Sequence, residues 1–317
     1  MKHIAIIKQS LILVAGLLAA LLTSCIKDDL AECSKLTLKV EGVASDGEII
    51  DITRLGDVTD ATLYIFDANK NFQEARKLDK DFILAKEVIK LDNYPDNTKL
   101  YIVAWGNLEG GKQNITSQPK TMDDLTLQLK SDNEGYAQSP DSLFFGARDV
   151  TSLGSGIVGG DGEVVIRLVT STYTVKTEGL QNALNFYGLK SSGDFDFYIN
   201  NTLDSYDAAG NQVGDSIPYN PEGQYDTQSI EWLSTGPVDI AQYGGKQTAF
   251  AGEKLGVRVK SKTGSVDRTI YKTEDGEDLF MPAGGRANFV IRFAEDGNIS
   301  IRSTVTPWGV VDDEIEF

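Results

Sequence analysis

The chain has 317 residues, a formal net charge of −17 and a hydrophobic fraction of 41%, which indicates one or two acidic globular domains. The excess of carboxylates excludes nucleic acid as a partner, because binding to phosphates requires a basic surface. The one histidine, His3, lies in a leader-like segment, so the rest of the chain cannot build a histidine-dependent nucleophile or a His-ligated zinc site. We therefore expect a protein that is not an enzyme.

The N-terminus has the pattern of a secretory leader. Two lysines precede an apolar run from Ser10 to Leu22, and the sequence Leu22-Thr-Ser-Cys25 follows. This ending resembles the lipobox of bacterial lipoproteins, which are cleaved before a lipidated cysteine. We expect residues 1–24 to be removed and Cys25 to carry acyl chains such as palmitate, whose buried CH₂ groups each add about 0.8 kcal/mol of membrane affinity. An uncleaved membrane anchor over residues 4–22 is the alternative.

Residues 25–33 are expected to form a short tether between the lipid and the first strand. The Lys27-Asp28-Asp29 sequence makes this tether polar, which is typical of a solvated spacer; in some Gram-negative anaerobes an acidic pair at this place is associated with export to the outer face. Because Cys25 is used by the lipid, Cys33 has no intramolecular partner, and we expect no disulfide. Cys33 is interpreted as a small buried residue, with an intermolecular bridge as the alternative.

From residue 34 onward apolar and polar residues alternate, which is typical of strands with one face on a core. The first predicted strand covers Ser34–Val43. The same pattern recurs at Leu125/Leu127/Leu129, Phe195/Phe197/Ile199, Leu255/Val257/Val259 and Phe289/Ile291/Phe293. Leu100–Trp105 and Val164–Val175 are apolar on both faces and predict central strands. Only Phe82–Leu91 has a helical stripe, and it could equally be a strand.

Turn sequences are frequent, and strands do not alternate with helices as they do in βαβ units. This pattern predicts an all-β fold built from antiparallel β-sandwiches. Gly154–Gly162 is a flexible run, and the long predicted strand Glu163–Thr170 follows it. We therefore place a boundary near residue 170. The two expected domains, 34–170 and 171–317, are of normal size.

Candidate metal sites are weak. Asp67-Ala-Asn-Lys-Asn71 begins like a calcium loop, but Phe72 stands where such a loop requires glycine, so a hairpin turn is favoured. Asp204–Asp207 and Asp312–Glu314 are acidic and lack a full ligand set. No metal is predicted, and the only expected cofactor-like group is the covalent lipid on Cys25.

Candidate catalytic and sugar-binding residues are equally unspecific. Paired carboxylates could serve a glycosidase, but no pair can be selected from 47 acidic residues. Trp105, Trp232 and Trp308 could stack on a sugar ring, although tryptophan in a β-protein is more often part of the core.

Three segments together resemble a known family: Cys25-Ile-Lys-Asp-Asp-Leu-Ala-Glu-Cys33, Tyr101-Ile-Val-Ala-Trp-Gly-Asn107 and Arg302-Ser-Thr-Val-Thr-Pro-Trp308. The chain resembles the fimbrial anchor lipoproteins of the FimB/Mfa type, from the type V pili of Bacteroides-like bacteria. The first segment is the most specific of the three. Residues 181–250 match the family only in their general, glycine- and aspartate-rich composition. The resemblance implies two tandem transthyretin-like β-sandwich domains, a surface-exposed lipid anchor in the outer membrane and a role in tethering a fimbrial stalk.

The resemblance also implies a mechanism. Stalk subunits lose their first strand by proteolysis after a basic residue, and a neighbouring subunit fills the open groove with a donated strand, which is β-augmentation. An anchor is expected to keep its first strand, here Ser34–Val43, so that growth ends there. Cleavage after Arg54 would release that strand together with its lipid, and Arg54 is therefore expected to stay intact.

The end of the sequence is the expected contact with a stalk subunit, and with accessory fimbrial subunits. Apolar residues alternate there with polar ones, as in a strand that ends near Pro307 and continues into an acidic tail: Ile299, Ile301, Val305, Ile315 and Phe317. These residues would act as a donated strand or as a docked edge. Alternatively, residues 299–306 complete the second sandwich and the tail is solvated.

Three other functions stay open at this point. An accessory or tip subunit, or adhesin, of the same assembly would share the sandwiches. A surface glycan-binding lipoprotein would expose aromatic side chains as flat platforms, whereas an enzyme would need a cleft with two carboxylates about 5–10 Å apart.

Overall fold

The structure is a computed structural model that describes residues 33–44, 47–116, 118–154, 156–190, 194–226, 231–234, 238–241 and 255–306. Within these ranges the fold is all-β apart from two short α-helices and two 3₁₀ turns. The helices are α1 (Lys80–Leu84) and α2 (Leu180–Tyr187), and the turns cover Thr53–Leu55 and Met122–Asp124. The predicted fold class is confirmed.

In the described part of the chain the strands fall into two groups along the sequence. Those before residue 169 are β1 (Cys33–Lys35), β2 (Thr37–Val43), β3 (Ile49–Asp51), β4 (Asp60–Phe66), β5 (Phe72–Asp79), β6 (Thr98–Gly106), β7 (Gln113–Ile115), β8 (Leu127–Leu129), β9 (Phe144–Ser152), β10 (Ile157–Gly159) and β11 (Glu163–Leu168). Those after it are β12 (Thr170–Glu178), β13 (Phe195–Tyr206), β14 (Gln212–Tyr219), β15 (Gly223–Tyr225), β16 (Trp232–Ser234), β17 (Val238–Ala241), β18 (Gly256–Ser261), β19 (Asp267–Ile270), β20 (Arg286–Phe293) and β21 (Ile299–Thr306).

The first sheet has nine strands, all from before residue 169. Seven follow the order β3-β2-β11-β9-β6-β4-β5, and β1 and β10 pair beside them. Alternate residues of these strands place their side chains in one apolar core under α1, because successive side chains of a strand point to opposite faces. Its members include Leu36, Leu38, Val40, Leu63, Ile102, Val164 and Ile166.

Two six-stranded sheets form the second half. One has the order β15-β16-β12-β20-β21 with β17 beside β12, and the other has the order β19-β18-β13-β8-β7 with β14 beside β13. The sheets of the molecule are mainly antiparallel, but β2–β11 and β12–β20 are parallel pairs. The boundary at residue 170 stays a prediction, because the hairpin β7–β8 precedes it and yet pairs with β13.

A buried aromatic cluster, which we call the junction cluster, joins the two halves. The ring centroid of Trp105 lies 4.8 Å from that of Phe145 and 5.5 Å from that of Tyr206. The Tyr206 hydroxyl donates to the carbonyl of Val169 at 3.2 Å. Trp105 and Tyr206 are almost fully buried, so the halves share one continuous core.

The same hairpin occurs once in each half. Thr62–Asn71 and Thr202–Asn211 share the sequence T-L-x-x-[FY]-D-A-x-x-N, and each closes a hairpin, β4–β5 and β13–β14. In both turns the aspartate, Asp67 or Asp207, accepts hydrogen bonds of 2.8–2.9 Å from the backbone N–H groups two and four residues later. The carboxylates therefore close turns, and the hairpin interpretation of Asp67–Asn71 is confirmed.

Two local predictions are confirmed only in part. The expected strand Glu163–Thr170 is present as β11, but it ends at Leu168. Val169 then donates its N–H to the Leu143 carbonyl at 2.8 Å, and the apolar stretch Val164–Val175 continues as β12 in another sheet. Of the helical stripe Phe82–Leu91 only residues 82–84 are helical, as the end of α1, because Lys86 adopts a positive φ of 50°.

Helix α2 was not predicted from the sequence. Leu180, Ala183 and Leu184 form its buried face. This spacing of three and four residues is the ordinary signal of an amphipathic helix, so the signal was present in the sequence.

Candidate functional site

The predicted first strand lies inside the first sheet, not at its edge. It divides at Leu36 into β1, which pairs with β10, and β2, which lies between β3 and β11. The side chains of Leu36, Leu38 and Val40 are at most 1% exposed. Burying an aliphatic side chain contributes about 1.5–3 kcal/mol, so these three alone hold the strand firmly in its groove.

A polar network holds the middle of the same strand. The N–H of Val40 donates to Thr53 Oγ1 at 2.9 Å, and the Thr53 hydroxyl donates to Asp51 Oδ1 at 2.6 Å. The Asp51 carboxylate also accepts from the Lys86 ammonium. Burial by itself would raise the pKa of Asp51, but the hydrogen bonds from Lys86 and Thr53 outweigh burial and lower the pKa to about 2. We call Asp51, Thr53 and Lys86 the strand clamp.

Replacing Asp51 by asparagine is expected to lower the free energy of unfolding at pH 7 by about 1 kcal/mol, because a partly exposed charged pair is screened by water. A lowered pKa stabilises the fold above the usual value of 3.8, and this contribution disappears as the pH falls toward 2. Urea unfolding at pH 7 and pH 2 measures the effect. The exposed Asp92→Asn variant is the control, and an equal loss at both pH values for Asp51→Asn would contradict the assignment.

Arg54 lies directly after the strand clamp. It is exposed on the 3₁₀ turn Thr53–Leu55, next to the 70% exposed Leu55. A cut after Arg54 would separate β1–β3 from β4 and thereby detach the first strand from the rest of the fold. That Arg54 stays uncut remains a prediction.

The last strand, β21, lies at the edge of its sheet within the described residues. One side pairs with β20, and on the other side the N–H of Glu274 donates to the Ile301 carbonyl at 2.9 Å. The side chains of Ile299 and Ile301 are buried in the core, whereas Val305 is half-buried. Ile299 and Ile301 can therefore offer a partner their backbone groups but not their side chains.

Several predicted residues lie outside the described part of the chain. They are the leader 1–24, Cys25, Lys27, Asp28, Asp29, Trp308, Asp312–Glu314, Ile315 and Phe317. Among the residues that are described, no helix has the length and apolar character needed to cross a membrane. The same residues contain no group of three or more histidine, cysteine or acidic side chains suited to a metal ion.

Among the described residues, Asp60, Trp105 and Trp232 have structural roles. Asp60 lines a polar pocket of about 340 Å³ with Asp57 and Asp141; burial raises its pKa although it accepts the N–H of Leu108 at 2.9 Å. This bond ties the loop after β6 to β4. Trp105 and Trp232 are at most 5% exposed, so neither presents a ring face to a sugar.

Comparisons with known proteins identify a family and a shared fold. A family model for fimbrillin-A associated anchor proteins Mfa1 and Mfa2 matches residues 30–314. The chain is 27% identical to the major fimbrium anchoring subunit FimB of Porphyromonas gingivalis, over 98% of both chains. Its fold is similar to that of an adhesin candidate from Bacteroides ovatus, with a TM-score of 0.63, 14% identity and coverage of 90% of this chain and 98% of the other.

A second solved structure has the same fold. The fimbrial anchor protein Mfa2 from Porphyromonas gingivalis matches with a TM-score of 0.54 at 14% identity, over 86% of this chain and 97% of that one. At this identity the structural likeness establishes the fold only, whereas the family model covers nearly the whole described chain. The chain belongs to the family of fimbrillin-A associated anchor proteins Mfa1 and Mfa2.

Proposed function

We propose that this protein is an outer-membrane lipoprotein that anchors a fimbrium to the cell surface and ends its assembly by keeping its own first strand. The position of β2 carries the proposal. Because β2 is paired on both sides and its apolar face is buried, the groove that a donated strand would need is already filled. A subunit in this state can contribute to the fibre but cannot accept the next subunit by β-augmentation.

The direction of the first strand supports a membrane-anchoring role. Cys33 pairs with Gly159 at one end of the first sheet, and β2 then runs parallel to β11 toward Leu168, where the chain enters the second half. The lipid on Cys25 would thus attach at the end of the first sheet that is remote from the second half. The second half is then directed away from the membrane, toward the fibre.

The stalk contact is assigned to the end of the second half. The edge of β21 and the following residues, with Ile315 and Phe317, would bind a stalk subunit as a donated strand or through backbone pairing. An edge strand presents unpaired N–H and C=O groups, which is the requirement for such pairing. β21 has eight residues, and because its Ile301 carbonyl already accepts from Glu274, a partner would pair with the rest of this edge.

The test of termination is to open the groove. A protease site is inserted in the turn between β2 and β3. After cleavage at this site, the N-terminal segment that contains β1 and β2 is removed in mild urea. The cut protein is expected to bind a synthetic peptide of residues 34–43 and to accept a strand from a purified stalk subunit, because the apolar groove is then empty. Size-exclusion chromatography and thermal unfolding measure both events.

The uncut protein with the same insertion is the control. It is expected to bind neither the peptide nor the stalk strand in that groove. Acceptance of a strand by the uncut protein, with β2 still protected from hydrogen exchange, would contradict the proposed termination.

A further inference from the structure

An apolar groove, which we call the junction groove, lies between the two halves and has a volume of about 880 Å³. Its floor is the face of β2, β9 and β11 that is not used by the core of the first sheet, and one wall is the turn that precedes β20. The residues that define it are Val43, Phe145, Val165, Leu168, Pro282 and Arg167. Val43, Val165 and Leu168 are only partly buried, so this part of the sheet face is uncovered by the described residues.

The chain leaves the described structure beside this groove. Thr306, the last residue of β21, pairs with Arg286. Arg286 is separated by one residue, Gly285, from the turn residues 282–284 that form the groove wall. The eleven residues from 307 to 317 therefore start at the wall of the groove, and an extended chain of this length reaches up to about 36 Å.

The composition of residues 307–317 suits the junction groove. Five residues are large and apolar, and four are acidic: Trp308, Val310, Val311, Ile315 and Phe317, and Asp312, Asp313, Glu314 and Glu316. The groove offers apolar side chains along its floor and two guanidinium groups, and the carboxylates of Glu41 and Glu163 also line it. Arg167 is 61% exposed and bonded to Glu41, and Arg148 lies 3.4 Å from Asp161. Both arginines can add an acidic partner without losing their present one, because each guanidinium has five N–H donors.

We propose that residues 307–317 of the same chain dock in the junction groove. The apolar residues of this segment cover Val43, Val165 and Pro282, and its carboxylates approach Arg167 and Arg148. The contact holds the segment assigned to the stalk contact against the anchor itself until a partner replaces it. The docking stands independently of the identity of the partner, since it requires only this chain.

Accessibility of a cysteine in the groove tests the docking. Ala147 lines the groove and Ala75 lies on β5, three strands away in the same sheet, and both are exposed. In the mature lipoprotein with Cys33→Ser, deletion of residues 307–317 is expected to speed maleimide labelling of Ala147→Cys about tenfold and to leave Ala75→Cys unchanged. Equal labelling rates with and without the segment, or an equal increase at both sites, would overturn the proposal.

A second measurement keeps the segment in place. In the full mature chain, Val311→Cys combined with Ala147→Cys is expected to form an intramolecular disulfide on mild oxidation, whereas Val311→Cys with Ala75→Cys is not, because a disulfide requires Cα atoms within about 7 Å. Cross-linked dimers in place of the intramolecular bond would identify a second copy as the occupant and would overturn the proposal. Equal cross-linking of both pairs would show an unbound segment, with the same consequence.

Discussion

Replacing Cys25 by alanine is expected to remove nearly all of the protein from the outer membrane and to leave it uncleaved or released. The lipid is the proposed membrane attachment, and its acyl chains contribute about 0.8 kcal/mol for each buried CH₂ group. Two or three such chains bind durably, whereas no helix among the described residues is long and apolar enough to cross a membrane. Membrane fractionation with detection of the mature form measures the result.

The natural control for this substitution is the other cysteine. Cys33→Ala removes a thiol of the same chain but leaves the Leu22-Thr-Ser-Cys25 ending intact. It is expected to fractionate like the wild type. If Cys25→Ala protein still reached the outer membrane in normal amounts, the lipoprotein assignment would be wrong. If fimbriae stayed attached to cells that produce the Cys25→Ala variant, the lipid would not be required for anchoring the fimbrium.

Gly146→Ala is expected to cost about 3 kcal/mol or more of the free energy of unfolding, since backbone clashes in a packed interior are not relieved by rotamer changes. A methyl group at Gly146 would overlap the carbonyl oxygen of Val165, which belongs to β11. Because β11 carries β2 on its other side, the strand that fills the groove is displaced as well. The variant is therefore expected to lose protection of β2 in hydrogen exchange.

Gly159→Ala is the matched control in the same sheet. A methyl group at Gly159 meets only the Thr151 side chain, at 3.9 Å, which is an ordinary van der Waals distance. This substitution is expected to change the free energy of unfolding by less than about 0.5 kcal/mol. Similar destabilisation by both substitutions, measured by urea unfolding, would show that the close approach of β9 and β11 does not constrain the sheet.

The sequence predicts the strands better than it predicts their partners. The alternation of Leu36, Leu38 and Val40 is a local signal, and these residues are buried as the pattern indicates. The pairing of β2 with β11 joins residues more than 120 positions apart, such as Glu41 and Arg167. No local pattern specifies such a pairing or its parallel direction. The passage of the chain to another sheet at Val169 lies at the boundary expected near residue 170, but the partner strands of β11 and β12 on either side of it were not predicted.

The candidate site was predicted in part. The resemblance in the opening segment led to the interpretation of the first strand, but the strand clamp was not foreseen, because Asp51 and Thr53 look like the polar residues of any turn. Their role depends on Val40, which is close only in the folded chain. The duplicated hairpin around Asp67 and Asp207, in contrast, was visible in the sequence and was overlooked.

The parallel pair β2–β11 has a consequence for the order in which the protein folds. In the proposed secretion, which starts from the N-terminus, Leu36, Leu38 and Val40 would leave the translocation channel long before residues 163–167, with which β2 pairs. Pairings between distant segments form slowly, and apolar strands that wait for a partner are prone to aggregate. On that route the nascent chain would expose an unpaired apolar strand, which a strand of another protein could capture before β11 emerges.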